Sequence, residues 1–127
     1  MAHKIMVVDD EPEMLGLLKF TLERAGYEVS TCDNGRQAWD AIIQFKPDLL
    51  ILDVMLPGID GYSLQVKLAQ ESATKDIPII VLTSLGPAKT LFQKFPQVAS
   101  FMTKPFGNDE LLENVRLALA RDPQSNA

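Results

Sequence analysis

Cysteine occurs once in the chain, at Cys32, so no internal disulfide is available and the sequence fits a reducing compartment. Histidine also occurs once, at His3, which leaves no His or Cys set for a soft metal. Lysine and arginine number 12 against 17 aspartates and glutamates, a net charge of -5. That balance argues against a nucleic-acid footprint, because proteins that grip phosphate backbones carry a basic face. No apolar run reaches membrane-spanning length, and no charged leader with an apolar stretch follows Met1. A cytoplasmic protein without a membrane partner is expected. Internal repeats, low-complexity tracts and interdomain linkers are lacking as well. What is present is an ordinary globular composition, 46% apolar and 23% charged, in 127 residues. That is enough for one domain with its own core.

The most informative stretch runs from Leu49 to Gly58. Around Asp53 the neighbours are Leu, Ile, Val and Met without polar alternation, the pattern of a central parallel strand covered on both faces. An unpaired carboxylate inside such a strand costs several kcal/mol or shifts its pKa. Asp53 is therefore expected at the mouth of the sheet, near a cation or donors, with Pro57 and Gly58 ending the strand.

In chain order, Lys4 to Val8 is a first buried strand ending in the acidic turn Asp9-Asp10-Glu11-Pro12. A helix follows with Met14, Leu15, Leu18 and Leu22 at helical spacing and Gly26 as its C-terminal cap. Tyr27 to Cys32 alternates as a half-exposed strand. Asn34 and Gly35 open a second helix, about Arg36 to Phe45, with Ala38, Ala41, Ile42 and Phe45 on one face. After the Asp53 strand, a third helix spans Gly61 to about Glu71, and a fourth strand runs from Ile77 to Leu82. Gly86-Pro87 starts a short fourth helix carrying Ala88, Leu91, Phe92 and Phe95, stopped by Pro96. A fifth strand, Ala99 to Thr103, ends at Lys104-Pro105. The last helix begins at Asp109-Glu110 and runs through Leu112, Val115 and Leu119 to Arg121. The expected organisation is one domain over 3–121 and a polar tail over 122–127.

Five strands alternating with five helices predict a doubly wound parallel α/β sheet, joined by right-handed crossovers. In such sheets ligands bind beyond the carboxyl ends of the strands, where the strand order reverses. Asp9, Asp10, Asp53, Thr83 and Lys104 all fall at that edge, and the three carboxylates converge if strands one and three are neighbours. Three carboxylates in one pocket do not all ionise without a cation, which makes Mg²⁺ the natural further member. Each residue also has a plainer reading. Asp9 or Asp10 could cap the first helix, Asp53 could be held by backbone amides, and Lys104 and Thr83 could be ordinary strand-end groups. Cys32 reads as a small buried filler, His3 as a disordered terminal residue and Trp39 as a partly exposed helix-face aromatic.

Val7-Val8-Asp9-Asp10-Glu11, Asp53 with Met55-Leu56-Pro57-Gly58-Ile59-Asp60-Gly61, Val81-Leu82-Thr83-Ser84 and Lys104-Pro105-Phe106 together resemble the receiver domain of two-component response regulators. The resemblance runs from about His3 to Arg121. It implies a flavodoxin-like fold with strand order 2-1-3-4-5 and a cis Lys104-Pro105 bond. It also implies that Asp53 accepts a phosphoryl group and that Asp9, Asp10, Asp53 and the Met55 carbonyl serve Mg²⁺. Lys104 would then pair with the phosphoryl group, with Thr83 and Phe101 as the switch residues. The implied partners are a histidine kinase or phosphotransfer protein and a downstream effector, for a monomer or weak dimer. By the same geometry Met55 and Leu85 flank the path of a hydrolytic water. Neither forms strong hydrogen bonds with water, so slow self-dephosphorylation is expected.

The sequence departs from the family before the aromatic, where an acidic run is replaced by Val98-Ala99-Ser100, and Pro87 and Pro96 interrupt the preceding segment. Phe101 stands where tyrosine is commoner. Two rival functions follow. A phosphatase with an Asp nucleophile would carry an acid two residues later, where this chain has Met55. A receiver-like scaffold that is never phosphorylated would have no need of Asp9, Asp10, Asp53, Thr83 and Lys104 together.

Overall fold

The computed structural model describes residues 2–53, 61–83 and 92–120. Five strands form one sheet: β1 (Lys4–Val8), β2 (Glu28–Cys32), β3 (Leu49–Asp53), β4 (Ile79–Thr83) and β5 (Val98–Thr103), all parallel in the order β2-β1-β3-β4-β5. Four helices lie among the described residues: α1 (Pro12–Arg24), α2 (Gly35–Phe45), α3 (Gly61–Gln70) and α4 (Asn108–Ala120). The architecture is the doubly wound, flavodoxin-like one. Most of the helix expected from Gly86, including Ala88 and Leu91, lies outside the described residues, as does the tail from 121 onward.

The apolar runs explain the layering. Every residue of β3 and of β4 is buried, because helices cover both faces of the sheet centre. Alternate strand residues feed two cores. On one face, Ile5, Val7, Leu49, Ile51, Ile80 and Leu82 pack with Leu15, Leu18 and Leu22 of α1 and Leu111, Val115 and Ala118 of α4. On the other, Met6, Val8, Leu50, Leu52, Ile79 and Val81 pack with Ala38 and Ile42 of α2, Leu64 and Leu68 of α3, and Phe92. The edge strand β2 is half exposed but does not alternate strictly: Val29 packs in the first core and Cys32 in the second, while Glu28 and Thr31 are exposed.

Local signals act as their chemistry dictates. The Asn34 side chain caps α2 by accepting a hydrogen bond from the Gln37 amide at 2.9 Å. Gly26 has φ of 100°, a left-handed conformation that ends α1 without a Cβ clash. Lys46 takes the same role after α2 with φ of 54°, although it is not glycine.

Four expectations need correction. β4 starts at Ile79 rather than Ile77, because Pro78 has no amide for the ladder and Ile77 instead closes a turn onto the Thr74 carbonyl. β5 starts one residue early, at Val98, with an irregularity in its pairing beside Ile79. In α4 the buried stripe is Leu111, Val115 and Ala118, and Leu112 and Leu119 pack only at its margin. His3 is not loose in its backbone, since its carbonyl accepts the Glu28 amide at 2.9 Å and extends the β1–β2 pairing.

Candidate functional site

The strand order brings the C-terminal ends of β1 and β3 side by side at the centre of the sheet, with β4 and β5 following. Val8 pairs with Leu52, so Asp9 and Asp53, each the next residue, emerge together at that edge. Asp9 and Asp53 are both buried, whereas Asp10 and Glu11 are exposed at the mouth. One carboxylate oxygen from each of Asp9, Asp10, Glu11 and Asp53 lies within 4.8 Å of the others. Such a set of hard oxygen donors suits Mg²⁺ or a similar divalent cation.

Lys104, from the turn after β5, reaches into this cluster. Its Nζ donates to Asp9 Oδ2 at 2.9 Å, to Glu11 Oε1 at 3.1 Å and to Asp53 Oδ2 at 3.1 Å. Its backbone amide donates to the Thr83 carbonyl at 3.1 Å, which ties the turn to the end of β4. The Lys104-Pro105 peptide bond is cis.

The electrostatics follow from burial and proximity. Burial raises the Asp9 carboxyl above its ordinary pKa, and the Asp53 charge adds to this, while hydrogen bonds from the Glu11 amide and Lys104 oppose it. Burial alone would lower the Lys104 pKa, but the hydrogen bonds to Asp9, Asp53 and Glu11 outweigh it and hold the ammonium above its ordinary value. The plainer role of a helix cap does not account for Asp9. Its Oδ1 accepts the Glu11 amide at 3.0 Å, one residue before the helix, so it fixes the turn rather than capping the amides within α1.

Thr83 is buried at the end of β4. By strand alternation it shares a face with Val81, whose register partner on β5 is Phe101. Phe101 is half-buried against the second core. The two expected switch residues therefore share one face of the sheet, opposite the face that Asp53 shares with Ile51. Met55 and Leu85 lie outside the described residues. Cys32 is buried and donates to the Asn34 carbonyl at 3.2 Å, and Trp39 is half-buried with the Lys67 ammonium 4.4 Å from its ring centroid.

Sequence reasoning gave Glu11 no role beyond completing the acidic turn. The available signal was a third consecutive acid immediately before the helix-starting Pro12, where its side chain shares the mouth with Asp10.

These features define a class: a doubly wound α/β domain whose acidic, lysine-bridged site sits at the carboxyl edge of the central strands. Residues 5–116 match the response regulator receiver domain family, and the chain belongs to it. Receiver domains of this family are the phosphoacceptor signalling domains of two-component systems rather than classical enzymes. The chain is 38% identical over 119 residues to the DNA-binding dual master transcriptional regulator RpaA of Synechocystis, covering 93% of this chain and 49% of RpaA. It spans about half the length of the curated relatives it matches. Among solved structures, a putative response regulator from Chloroflexus aurantiacus superposes with a TM-score of 0.88 at 38% identity, covering 95% of this chain and 100% of that one. The response regulator TrrA from Thermotoga maritima, in complex with Mg²⁺ and beryllofluoride, superposes with a TM-score of 0.81 at 35% identity, covering 93% and 99%. No helix among the described residues is long and apolar enough to cross a membrane.

Proposed function

We propose that the chain receives a phosphoryl group on Asp53 from a histidine kinase or phosphotransfer protein and passes it on as a conformational change. The observation that carries this reading is the Asp53 carboxylate at the end of β3, 3.1 Å from the Lys104 ammonium and within a group of four carboxylates. In the transfer, an Asp53 oxygen forms the new O–P bond as the donor's P–N bond breaks, and the electron pair of that bond stays on the donor's imidazole nitrogen. Such a reaction needs an in-line nucleophile, fixed positive charge and little other covalent help.

Asp9, Asp10 and Asp53, with the Met55 carbonyl, would hold Mg²⁺. When bound, it supplies charge neutralisation for the phosphoryl oxygens. Lys104 supplies the fixed ammonium. After transfer, the new oxygens on Asp53 accept from the Thr83 hydroxyl, and Phe101 turns inward, biasing the domain between two packings. Met55 and Leu85 leave no polar group to orient a hydrolytic water, which makes the phosphorylated state long-lived.

The proposed domain covers 3–121 with a polar tail over 122–127. It acts in the cytoplasm as a monomer or weak dimer without binding nucleic acid itself, and an effector domain or protein reads its state. Small phosphodonors also serve it. The match to a family member complexed with Mg²⁺ and beryllofluoride supports this chemistry.

The test is labelling by a small phosphodonor with Mg²⁺ or with a chelator, in the wild type and in Asp53→Asn. Mg²⁺-dependent labelling that disappears in the variant is expected. Labelling that persists in Asp53→Asn would overturn the assignment, and no labelling of the wild type would favour the scaffold reading.

A further inference from the structure

The Lys104 ammonium has three N–H bonds to give, and three carboxylates take them: Asp9 at 2.9 Å, Glu11 at 3.1 Å and Asp53 at 3.1 Å. A phosphoryl group on Asp53 brings new oxygens that call for one of these donors. One carboxylate must then release the ammonium. The three are not equally free to do so. The Asp9 side chain is fully buried, and its other oxygen is committed to the Glu11 amide. Asp53 is buried and is the group to which the phosphoryl is joined. The Glu11 side chain is 61% exposed, and on leaving Lys104 it returns to water. An exposed ion pair made by a long side chain is weakly held.

Glu11 is also not required by the helix it precedes. It occupies the N-cap position of α1, but its side chain makes no capping hydrogen bond. Its carboxylate is spent on Lys104.

We infer that Glu11 is a positioning residue that competes with the phosphoryl oxygens for Lys104, a displaceable counter-ion that sets how tightly the site takes up a phosphoryl group. Before phosphorylation it holds the third donor of the ammonium. Once a phosphoryl group arrives, that donor passes to a phosphoryl oxygen and the Glu11 carboxylate swings into solvent. The inference rests on the proposed role of Asp53 as acceptor.

The experiment measures two equilibria by calorimetry on the wild type, Glu11→Ala and Glu11→Gln: binding of Mg²⁺ alone, and binding of beryllofluoride at saturating Mg²⁺. The two are expected to move in opposite directions. Mg²⁺ affinity falls modestly in both variants because a negative charge leaves the cluster. Beryllofluoride affinity rises by about two- to fivefold in Glu11→Ala, the factor that corresponds to one exposed ion pair, and by less in Glu11→Gln, which still offers an oxygen to Lys104. A parallel fall in both affinities would make Glu11 a metal ligand instead, and unchanged beryllofluoride binding would show that it does not hold Lys104; either result overturns the inference. A wild type that binds no beryllofluoride in Mg²⁺ would refute the acceptor role of Asp53 itself, and the inference would fall with it.

Discussion

At the scale of single residues, the site is an arrangement of like charges held by one cation. Asp53 contributes to the raised pKa of Asp9, so the two carboxylates oppose each other while Lys104 bridges them. Removing a charge from either side of this arrangement has opposite consequences. Asp53→Asn relieves repulsion and leaves Lys104 with Asp9 and Glu11, so the metal-free melting temperature is expected to stay level or rise. Lys104→Met leaves the buried Asp9 without its countercharge and is expected to cost about 3 kcal/mol in urea unfolding, the scale on which losing one partner of a buried pair acts. A stable Lys104→Met with an unstable Asp53→Asn would contradict this reading of the charges. Mg²⁺ is expected to raise the melting temperature of the wild type, by about 2.7 kcal/mol of stabilisation at a hundredfold excess over its dissociation constant. Asp10→Ala, which removes an exposed member of the cluster, is expected to blunt that response; an equal response in the variant would exclude Asp10 from the site.

At the scale of elements, a buried amide network joins α3 to the turns flanking β4 and β5. Gln97 Nε2 donates to the carbonyls of Thr74 at 3.1 Å and Ile77 at 2.9 Å, and its Oε1 accepts from Gln65 Nε2 at 2.9 Å. Gln65 Oε1 is buried without a hydrogen-bond partner among the described residues. The two glutamines should therefore respond unequally. Gln97→Leu takes the side-chain donor from the Ile77 carbonyl and the acceptor from the Gln65 amide, while the Thr74 carbonyl keeps the Ile77 amide, and is expected to cost about 2 kcal/mol. Gln65→Leu removes an atom already unsatisfied, deprives only Gln97 Oε1 of its donor and is expected to cost about 1 kcal/mol or less. Equal losses in chemical denaturation would show that the network does not depend on Gln97. At the end of α2, Lys46→Gly removes the left-handed strain of a residue with a Cβ and is expected to stabilise by about 1 kcal/mol. None of this was legible in the sequence, for physical reasons. Gln65 lies within α3 and reads as surface until its burial is known, and α4 carries leucines at 111, 112, 117 and 119, so two helical frames one residue apart satisfy its periodicity. The central strands were legible because their apolar runs have no polar alternation to misread.

At the scale of the whole molecule, the strand order turns separated residues into a site. Asp9, Asp53, Thr83 and Lys104 could each be placed at a strand end from the sequence, since each stops an apolar run. Their convergence depended on β1 and β3 being neighbours, which the order β2-β1-β3-β4-β5 provides. Glu11 escaped notice because reaching Lys104 requires β5 and the turn after β1 to meet across the edge, a relation that no local pattern encodes. The central claim is that this convergence makes Asp53 the single phosphoryl acceptor. Its most direct measurement is borohydride trapping after incubation with Mg²⁺ and a small phosphodonor, followed by peptide mass spectrometry, since reduction turns an aspartyl phosphate into homoserine. The expected result is homoserine at position 53 alone, and only when both Mg²⁺ and donor are present. Homoserine at position 9 or 10, or at position 53 without Mg²⁺, would contradict the account.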